Sequence, residues 1–243
     1  MIKVIVNGCK GRMGIEVVKG VEGDPDLELA GQADLGDDLG KIIRETEADV
    51  VVDFTVPAAR MDNFKTIAEN NARPVVGTTG YTEEEIDELT RLCKEKNLGA
   101  VIAPNFALGG VLLMKFAAEA SRYLAHAEII ELHHDKKEDY PSGTAVKTAQ
   151  LMLAQRKRFN QDVNDKVAHM EGARGAETGG LRIHSVRLPG LMAHQEVIFG
   201  ALGQTLTLRH DSISRESFMP GVILAVKKVM DSDRLIYGLE NII

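Results

Sequence analysis

The sequence predicts an α/β protein with two domains: a doubly wound parallel sheet, and a second, α+β domain built on a mixed or antiparallel sheet. In the first hundred residues, short apolar segments alternate with segments of helical periodicity, which is the pattern of right-handed βαβ units. After Asn105 the alternation stops, and three late strand-like segments follow one another without an intervening helix. With 243 residues, 44% of them hydrophobic, the chain can bury its cores without a disulfide or a metal ion.

The strands of the first domain are predicted from apolar runs that are continuous rather than alternating, because strands inside a parallel sheet are buried on both faces. These runs are Lys3–Val6, Leu27–Ala30, Val50–Phe54, Val75–Val76 and Ala100–Ala103. Apolar residues share one helical face after Met13 and again after Met61. The segment Thr82–Glu85 reads Thr-Glu-Glu-Glu, a capping box that predicts the start of a further helix.

The second domain is predicted to begin with a helix from about Leu108 to Leu124, followed by a strand at Ala127–His133 and a helix opening at Ser142. Residues Phe159–Gly180 are polar and aperiodic, so we expect a long mobile loop there. The later strands are Leu181–Leu188, Glu196–Phe199 and Thr205–Arg209, and a last helix near Phe218–Met230 is expected to return to the first domain. The predicted domains are therefore 1–104 with 216–243, and 105–215.

Composition excludes several classes of function. Asp and Glu number 36 against 29 Lys and Arg, a net charge of −7 that repels nucleic acid and anionic membranes. No apolar run reaches the length of a membrane-spanning helix, about 18 residues, and the start does not resemble a signal peptide. The two cysteines, Cys9 and Cys93, lie too far apart in sequence for a metal-binding pair. We expect a cytoplasmic protein with neither nucleic-acid nor membrane partners.

A glycine-rich turn follows the first strand and opens the first helix. Gly8, Gly11 and Gly14 are spaced Gly-x-x-Gly-x-x-Gly, and Lys10 stands where the common fingerprint has its second glycine. Small residues there let the backbone approach a pyrophosphate at the helix N-terminus. Asp34, at the end of the second strand, can accept both hydrogen bonds of an adenosine ribose diol. Together these features predict a Rossmann-type dinucleotide site; without Asp34, a plain tight turn is the alternative.

Further loops follow other strands at the sheet edge where open α/β sheets bind ligands. Gly77-Thr78-Thr79-Gly80 and Ala103-Pro104-Asn105-Phe106 are predicted to contact a nicotinamide, with ordinary turns as the alternative. Asp53-Phe54-Thr55 belongs to the same edge. Its carboxylate has a second interpretation, as the cap of a helix that starts at Pro57.

Two adjacent segments of the second domain combine proton donors with an anion site. His133 and His134 end a strand and, by strand alternation, point to opposite faces, while Lys137 follows in the turn. The amides of Gly143 and Thr144 begin a helix and suit a carboxylate. A solvated turn before a well-capped helix is the alternative interpretation. A zinc site is disfavoured, since no cysteine or third spaced histidine accompanies the pair.

Taken together, these segments resemble the 4-hydroxy-tetrahydrodipicolinate reductases, also called dihydrodipicolinate reductases. The resemblance extends over the whole chain and rests on Gly8–Gly14, Asp53–Thr55, Gly77–Gly80, Pro104–Phe106, Glu131–Lys137 and Pro141–Thr144, continuing through Gly179-Gly180, His184–Arg187, His194 and Ser214-Arg215. The family reduces 4-hydroxy-tetrahydrodipicolinate to tetrahydrodipicolinate, with loss of water, in lysine and diaminopimelate biosynthesis. The resemblance therefore implies an NADH- or NADPH-dependent oxidoreductase, usually a homotetramer assembled through the second domain's sheet.

The resemblance also implies roles for individual residues. His133 and Lys137 are the implied acid–base pair, and no metal is implied. A small dicarboxylate substrate would be bound by His134, Ser142, Gly143, Thr144 and Arg215. The cofactor would be held by Gly8, Cys9, Lys10, Gly11, Arg12, Met13, Asp34, Gly77, Thr78, Thr79, Ala103, Pro104, Asn105 and Phe106. Because these sets fall in different domains, closure near Asn105 and Arg215 is expected to assemble the site.

Three residues depart from the family pattern. Of these, Lys10 bears on the cofactor preference and Tyr140 on the shape of the cleft. Lys10 stands where many members have Gly, Ala107 where many have Ser, and Tyr140 where Ala is frequent. Asp34 favours the ribose diol of NADH, whereas Lys10 and Arg12 could reach the 2′-phosphate of NADPH. Because Asp34 is positioned by its strand and Lys10 must lose side-chain entropy to reach across, we expect a modest preference for NADH, with NADPH still accepted. The alternatives are another two-domain Rossmann oxidoreductase, or a non-catalytic NAD(H)-binding regulator.

Overall fold

The computed structural model describes residues 1–164 and 167–243, which form two compact units. The first unit contains Met1–Leu108 and Arg215–Ile243, and the second contains Gly109–Ser214. Arg215, which the sequence analysis placed in the second domain, therefore belongs to the first unit. No helix of the described residues is long and apolar enough to cross a membrane.

The first stretch of the chain alternates strands and helices. The strands are β1 (Ile2–Asn7), β2 (Leu27–Ala33), β3 (Val50–Asp53), β4 (Arg73–Val76) and β5 (Ala100–Ile102). The helices between them are α1 (Gly14–Glu22), α2 (Leu39–Thr46), α3 (Arg60–Glu69) and α4 (Glu83–Lys96). Helix α4 begins with the predicted capping box, in which Thr82 and Glu85 bind each other's backbone amides.

The described residues of the second unit form two helices and a run of strands. They are α5 (Leu108–Ala120), β6 (His126–His133), α6 (Gly143–Gln155), β7 (Ala176–Thr178), β8 (Leu181–Arg187), β9 (Ala193–Ala201) and β10 (Gln204–Ser212). The chain then returns to the first unit as α7 (Met219–Val229) and β11 (Leu235–Tyr237).

The first sheet is parallel throughout, in the order β11-β5-β4-β3-β1-β2. Its register places the last residues of neighbouring strands side by side: Asn7 pairs with Ala33 and Asp53, and Val76 pairs with Asp53 and Ile102. The loops that follow these strands therefore share one edge of the sheet, where an open parallel sheet binds ligands. This is the doubly wound architecture that the sequence predicted.

The second sheet is mixed, in the order β10-β9-β6-β8-β7, with β6 and β8 parallel and the other pairs antiparallel. Helices α5 and α6 cover one face and form a core with Ala127 and Ile129 of β6. Glu131 is the next residue on that face and is fully buried. The mixed sheet confirms the predicted class of the second domain.

Several elements differ from the predictions. Helix α2 and strands β7 and β11 were not predicted, and α5 ends at Ala120 rather than near Leu124. The segment expected to be a mobile loop, Phe159–Gly180, contains β7, and its residues 165–166 lie outside the described residues. Its start is anchored: Phe159 is buried, and the side chain of Asn160 bonds both the amide and the carbonyl of Ala127.

Candidate active site

The glycine turn after β1 is closely wound and leaves a helix N-terminus open. Gly8 has a φ of +81°, and its carbonyl oxygen lies where a side chain on Gly14 would begin. The amide of Gly11 bonds the same oxygen at 3.0 Å. In the described structure no side chain caps the first turn of α1. The amide of Ile15 bonds the Gly11 carbonyl, but a helix N-terminus without a side-chain cap still suits a pyrophosphate, so the residues fit a dinucleotide cofactor.

Asp34 is held by the backbone at the end of β2. Its Oδ1 accepts a hydrogen bond from the amide of Leu35 and its Oδ2 one from the amide of Lys10, both at 2.8 Å. These two bonds, that from Leu35 first, lower the pKa of Asp34. The carboxylate is therefore ionised and oriented. Oδ2 also accepts a weak hydrogen bond from Cys9 Sγ at 3.9 Å, whereas Oδ1 keeps a lone pair for a further donor such as a ribose hydroxyl.

Asp53 connects three strand ends and does not cap a helix. Its fully buried carboxylate accepts hydrogen bonds from the amide and hydroxyl of Thr55, at 2.9 and 2.7 Å, and from Asn7 Nδ2 at 3.3 Å. Thr78 Oγ1 donates to the same carboxylate at 3.4 Å. The short 3₁₀ helix Pro57–Ala59 has Val56 at its N-cap, so the capping interpretation was wrong. Asp53 instead ties together the loops after β1, β3 and β4.

Aromatic packing links the remaining loops of this edge. The ring of Phe54 fills the space that a side chain on Gly77 would need, and its centroid lies 5.6 Å from that of Phe106. Thr78, Ala103 and Phe106 are buried, whereas Thr79 and Pro104 are exposed. Some of the predicted cofactor residues are therefore packed in the interior, and others face solvent.

In the second unit, Glu131 and Arg187 form a buried ion pair beside His133. Arg187 Nη1 and Nη2 donate to Glu131 Oε2 and Oε1 at 2.9 and 2.7 Å. His133 Nδ1 lies 2.5 Å from Glu131 Oε2. Burial alone raises the pKa of Glu131, but hydrogen bonds from His133, Arg187 and Ser185 outweigh it and lower the pKa to about 2. The carboxylate is ionised and can only accept, so His133 Nδ1 carries a proton.

Lys137 lies in the turn that follows β6. Its Nζ is 2.6 Å from Asp139 Oδ1, and this hydrogen bond lowers the pKa of Asp139. Arg187 Nη2 donates to the Asp139 carbonyl at 2.9 Å, which ties the turn to the buried pair. His134 lies one residue beyond the end of β6, so strand alternation does not set its direction, contrary to the sequence argument.

The Ser142 turn is tied to the same pair. Its amide donates to Glu131 Oε1 at 3.2 Å, while its hydroxyl accepts from the amide of Ala145 as the N-cap of α6. A side chain at Gly143 would meet nothing within 4 Å, so space is open above this helix start. Ser142 is thus buried in a capping role, and Arg215 lies in the other unit.

Sequence reasoning missed Glu131 and Arg187 as parts of this site. A signal was present, because Glu131 continues the inward row of Ala127 and Ile129, where a charged residue requires a partner. That partner lies 56 residues away in sequence. Among the described residues, no three His, Cys, Asp or Glu side chains are grouped so as to hold a metal.

Comparison with known proteins identifies the family. Two family models, described as the N-terminus and the C-terminus of dihydrodipicolinate reductase, match residues 2–106 and 109–243. The chain belongs to the dihydrodipicolinate reductase family. The family resemblance and the enzyme class expected from the sequence are confirmed: the protein is an oxidoreductase of lysine and diaminopimelate biosynthesis. Its N-terminal domain is that of a pyridine-nucleotide-binding protein, which supports the use of NAD(P)H.

Individual members of the dihydrodipicolinate reductase family match the full length of the chain. The 4-hydroxy-tetrahydrodipicolinate reductase of Streptococcus thermophilus is 55% identical over 254 aligned residues, covering 100% of this chain and 99% of the relative. That of Listeria innocua is 52% identical over 262 residues and covers 100% of both. A solved dihydrodipicolinate reductase from Paenisporosarcina sp. TG-14, described as dipicolinate-bound, superposes with a TM-score of 0.92 at 42% identity and full coverage of both chains. A probable dehydrogenase from Thermotoga maritima, at 12% identity and a TM-score of 0.69, shares the fold alone.

Proposed function

We propose that the protein reduces 4-hydroxy-tetrahydrodipicolinate to tetrahydrodipicolinate with NADH or NADPH and loss of water. One observation carries the proposal: His133, the Lys137 turn and the Ser142 turn are all bonded to the same buried Glu131–Arg187 pair. A proton donor, a cation and a helix N-terminus are thereby held in one network. This combination favours a reductase of an anionic substrate over a plain capped turn.

The proposed substrate groups suit a small dicarboxylate. The start of α6 provides the amides of Gly143 and Thr144, and Lys137 provides a positive charge, for one carboxylate. The relative from Paenisporosarcina was solved with dipicolinate, a planar dicarboxylate, which supports this assignment. His134 is assigned to the substrate by resemblance, and Ser142 through the helix start that it caps.

The chain's own residues supply orientation and protons. When bound, the reduced nicotinamide supplies the hydride. Loss of water leaves a conjugated imine in the substrate, and its reduction leaves electron density that must be protonated. Lys137, with Asp139 as its counter-ion, is a proton donor, and His133 exchanges a proton at Nε2 because Nδ1 is bonded to Glu131. The glycine turn and Asp34 hold the cofactor by its pyrophosphate and ribose.

A coupled assay tests the function. Pyruvate, aspartate semialdehyde and their condensing enzyme generate the unstable substrate in the cuvette, and absorbance follows oxidation of the cofactor. We expect oxidation only when every component is present. Oxidation with unrelated hydroxy or amino acids instead would favour another dehydrogenase. Cofactor binding without turnover would favour a regulator.

Replacing Thr144 with Val is expected to weaken inhibition by pyridine-2,6-dicarboxylate. This dianion should compete with the substrate, and loss of one charge-assisted hydrogen bond costs about 1–2 kcal/mol. Inhibition constants measured in the coupled assay check the change. Val146→Ala, at an exposed position on the same helix, is the matched control, and the dianion should inhibit it as strongly as it inhibits the wild type. Equal inhibition of the Thr144 variant and the wild type would remove Thr144 from the site.

The cofactor preference is expected to respond to Lys10. Asp34 would repel the 2′-phosphate of NADPH, while the exposed Lys10 side chain could approach that phosphate, each effect worth about 1–3 kcal/mol. Asp34 is already fixed by two backbone bonds, whereas Lys10 loses side-chain entropy on reaching across. We therefore expect kcat/KM to favour NADH modestly, and Lys10→Ala to reduce NADPH use more than NADH use.

Steady-state kinetics with both cofactors at fixed substrate measure this preference. Lys19→Ala, which removes a lysine paired with Glu16 further along α1, is the control and should leave the ratio unchanged. A strong preference of the wild type for NADPH would contradict the argument from Asp34. The homotetramer, which rests on resemblance, and the cytoplasmic location, which rests on composition, are also part of this proposal. So is the closure near Asn105 and Arg215, expected because the predicted cofactor and substrate residues fall in different domains.

A further inference from the structure

The ion pair formed by Glu131 and Arg187 supplies no reacting group to the proposed reaction. It is nevertheless hydrogen-bonded to His133, to the Lys137 turn and to the Ser142 turn, the segments of the second unit that take part in the reaction. We propose that Glu131 and Arg187 are positioning residues: they fix which nitrogen of His133 carries the proton, and they hold the turns that contain Lys137 and Ser142 in place relative to His133. This inference rests on the proposed function and deepens it. It concerns how the acid–base groups are oriented rather than which substrate is reduced.

Glu131 accepts hydrogen bonds on both carboxylate oxygens. Oε2 accepts from His133 Nδ1 and Arg187 Nη1, and Oε1 accepts from Arg187 Nη2 and the amide of Ser142. The side chain of Ser185 adds a further hydrogen bond to the carboxylate. These donors fill the usual accepting capacity of a carboxylate. Glu131 therefore has no open position at which to take up a proton, and its effect on the reaction passes through the groups bonded to it.

For His133 the consequence is a defined tautomer. An ionised carboxylate can only accept, so the proton between it and His133 belongs to Nδ1. The neutral imidazole then has its lone pair on Nε2, the nitrogen that remains for exchange with a substrate. If the other tautomer formed, Nδ1 and Glu131 would face each other as two acceptors, which the short 2.5 Å separation forbids.

Arg187 has two functions in this arrangement. It balances the charge of a fully buried carboxylate, which without a cation would be costly to hold in the protein interior. Its Nη2 also donates to the Asp139 carbonyl, so the guanidinium joins β6 and β8 to the turn that carries Lys137. Because guanidinium is planar and binds both carboxylate oxygens, it fixes distance and angle together.

The same strand provides a matched comparison. Glu128 also bonds a histidine and an arginine: His184 Nε2 lies at 2.7 Å and Arg174 Nη2 at 2.6 Å. That cluster is on the opposite face of β6 and is more exposed, its Glu side chain being 31% accessible against 0% for Glu131. Glu128→Gln therefore removes the same charge from the same kind of cluster outside the proposed site.

The first measurement is made on the wild-type protein and uses a variant only to assign the signal. Nitrogen-15 spectra of the full-length protein labelled at histidine distinguish the two neutral tautomers, and His133→Gln assigns the signal among the seven histidines. We expect neutral His133 to be protonated at Nδ1. Neutral His133 protonated at Nε2 would overturn the proposal directly. This readout does not depend on catalysis, so it separates failure of this inference from failure of the proposed function.

The second measurement is kinetic. Glu131→Gln is expected to lower kcat about 10- to 100-fold, less than loss of the imidazole itself, with KM and NADH affinity little changed. The His133 signal should shift towards a mixture of tautomers. Glu128→Gln should move the His184 signal and leave kcat at the wild-type value. Wild-type kcat in Glu131→Gln, or a loss confined to KM, would refute the positioning role.

Discussion

Alanine at His133 or at Lys137 is expected to lower kcat about 10²–10⁴-fold, while the dissociation constant of NADH stays nearly unchanged. The reason is that the acid–base residues and the predicted cofactor-binding residues belong to different units. Both side chains belong to the second unit, whereas the glycine turn and Asp34 belong to the first. Steady-state kinetics and fluorescence titration with NADH measure the two quantities separately.

Two controls accompany these variants. Lys136→Ala removes the exposed lysine next to Lys137, and His184→Ala removes a histidine from the opposite face of the same sheet. Both should retain kcat near the wild-type value. A deuterium isotope effect from labelled NADH shows whether reduction limits the rate. If it does, and either site variant keeps more than half of the wild-type kcat, the acid–base assignment is wrong.

The largest effect on cofactor binding is expected from Gly14→Ala. The added methyl group would overlap the Gly8 carbonyl oxygen and approach Cys9 Cα to 2.8 Å. Both obstacles are backbone, so the turn must open to admit the methyl group. Overpacking of this kind costs about 1–3 kcal/mol, and if the cost falls on the bound conformation of the turn, NADH affinity falls about 5- to 150-fold. Calorimetric titration with NADH measures it.

Gly20→Ala is the control for this variant because Gly20 lies on the same helix. A methyl group there would meet only the side chain of Met219, at an ordinary 3.4 Å. Alanine also favours the helix by up to about 1 kcal/mol over glycine. We expect Gly20→Ala to bind NADH normally and to melt at the same or a higher temperature. Normal binding by Gly14→Ala would show that the turn is not the pyrophosphate site.

The fold was predictable where its signals were local. Continuous apolar runs located the strands up to β5, and the capping box located the first residue of α4, because burial and capping act over a few residues. Strand β11 was missed because Leu235–Tyr237 is too short to show a period. Helix α2 was missed because it has only eight residues, too few for Leu39, Ile42 and Ile43 to establish a helical period.

The candidate site was predictable only in part, for a physical reason. Motif spacing identifies groups that act from one segment, such as the glycine turn and the helix start at Ser142. The burial of Glu131 depends on Arg187, and that of Asp53 on donors from separate loops. Such compensation arises when distant segments fold together, and a single sequence does not record which donors will meet which carboxylate.

The return of the chain to the first unit has a consequence for folding during synthesis. Strand β11 pairs with β5, and α7 packs against α1 with Val222, Ala225, Val226 and Val229 fully buried. Until these residues leave the ribosome, β5 presents an unpaired edge and α1 an uncovered apolar face. At about 5–20 residues per second, translation of the intervening Gly109–Ser214 takes on the order of 10 s. The nascent first unit is therefore exposed to aggregation for that interval and offers chaperones a defined hydrophobic surface.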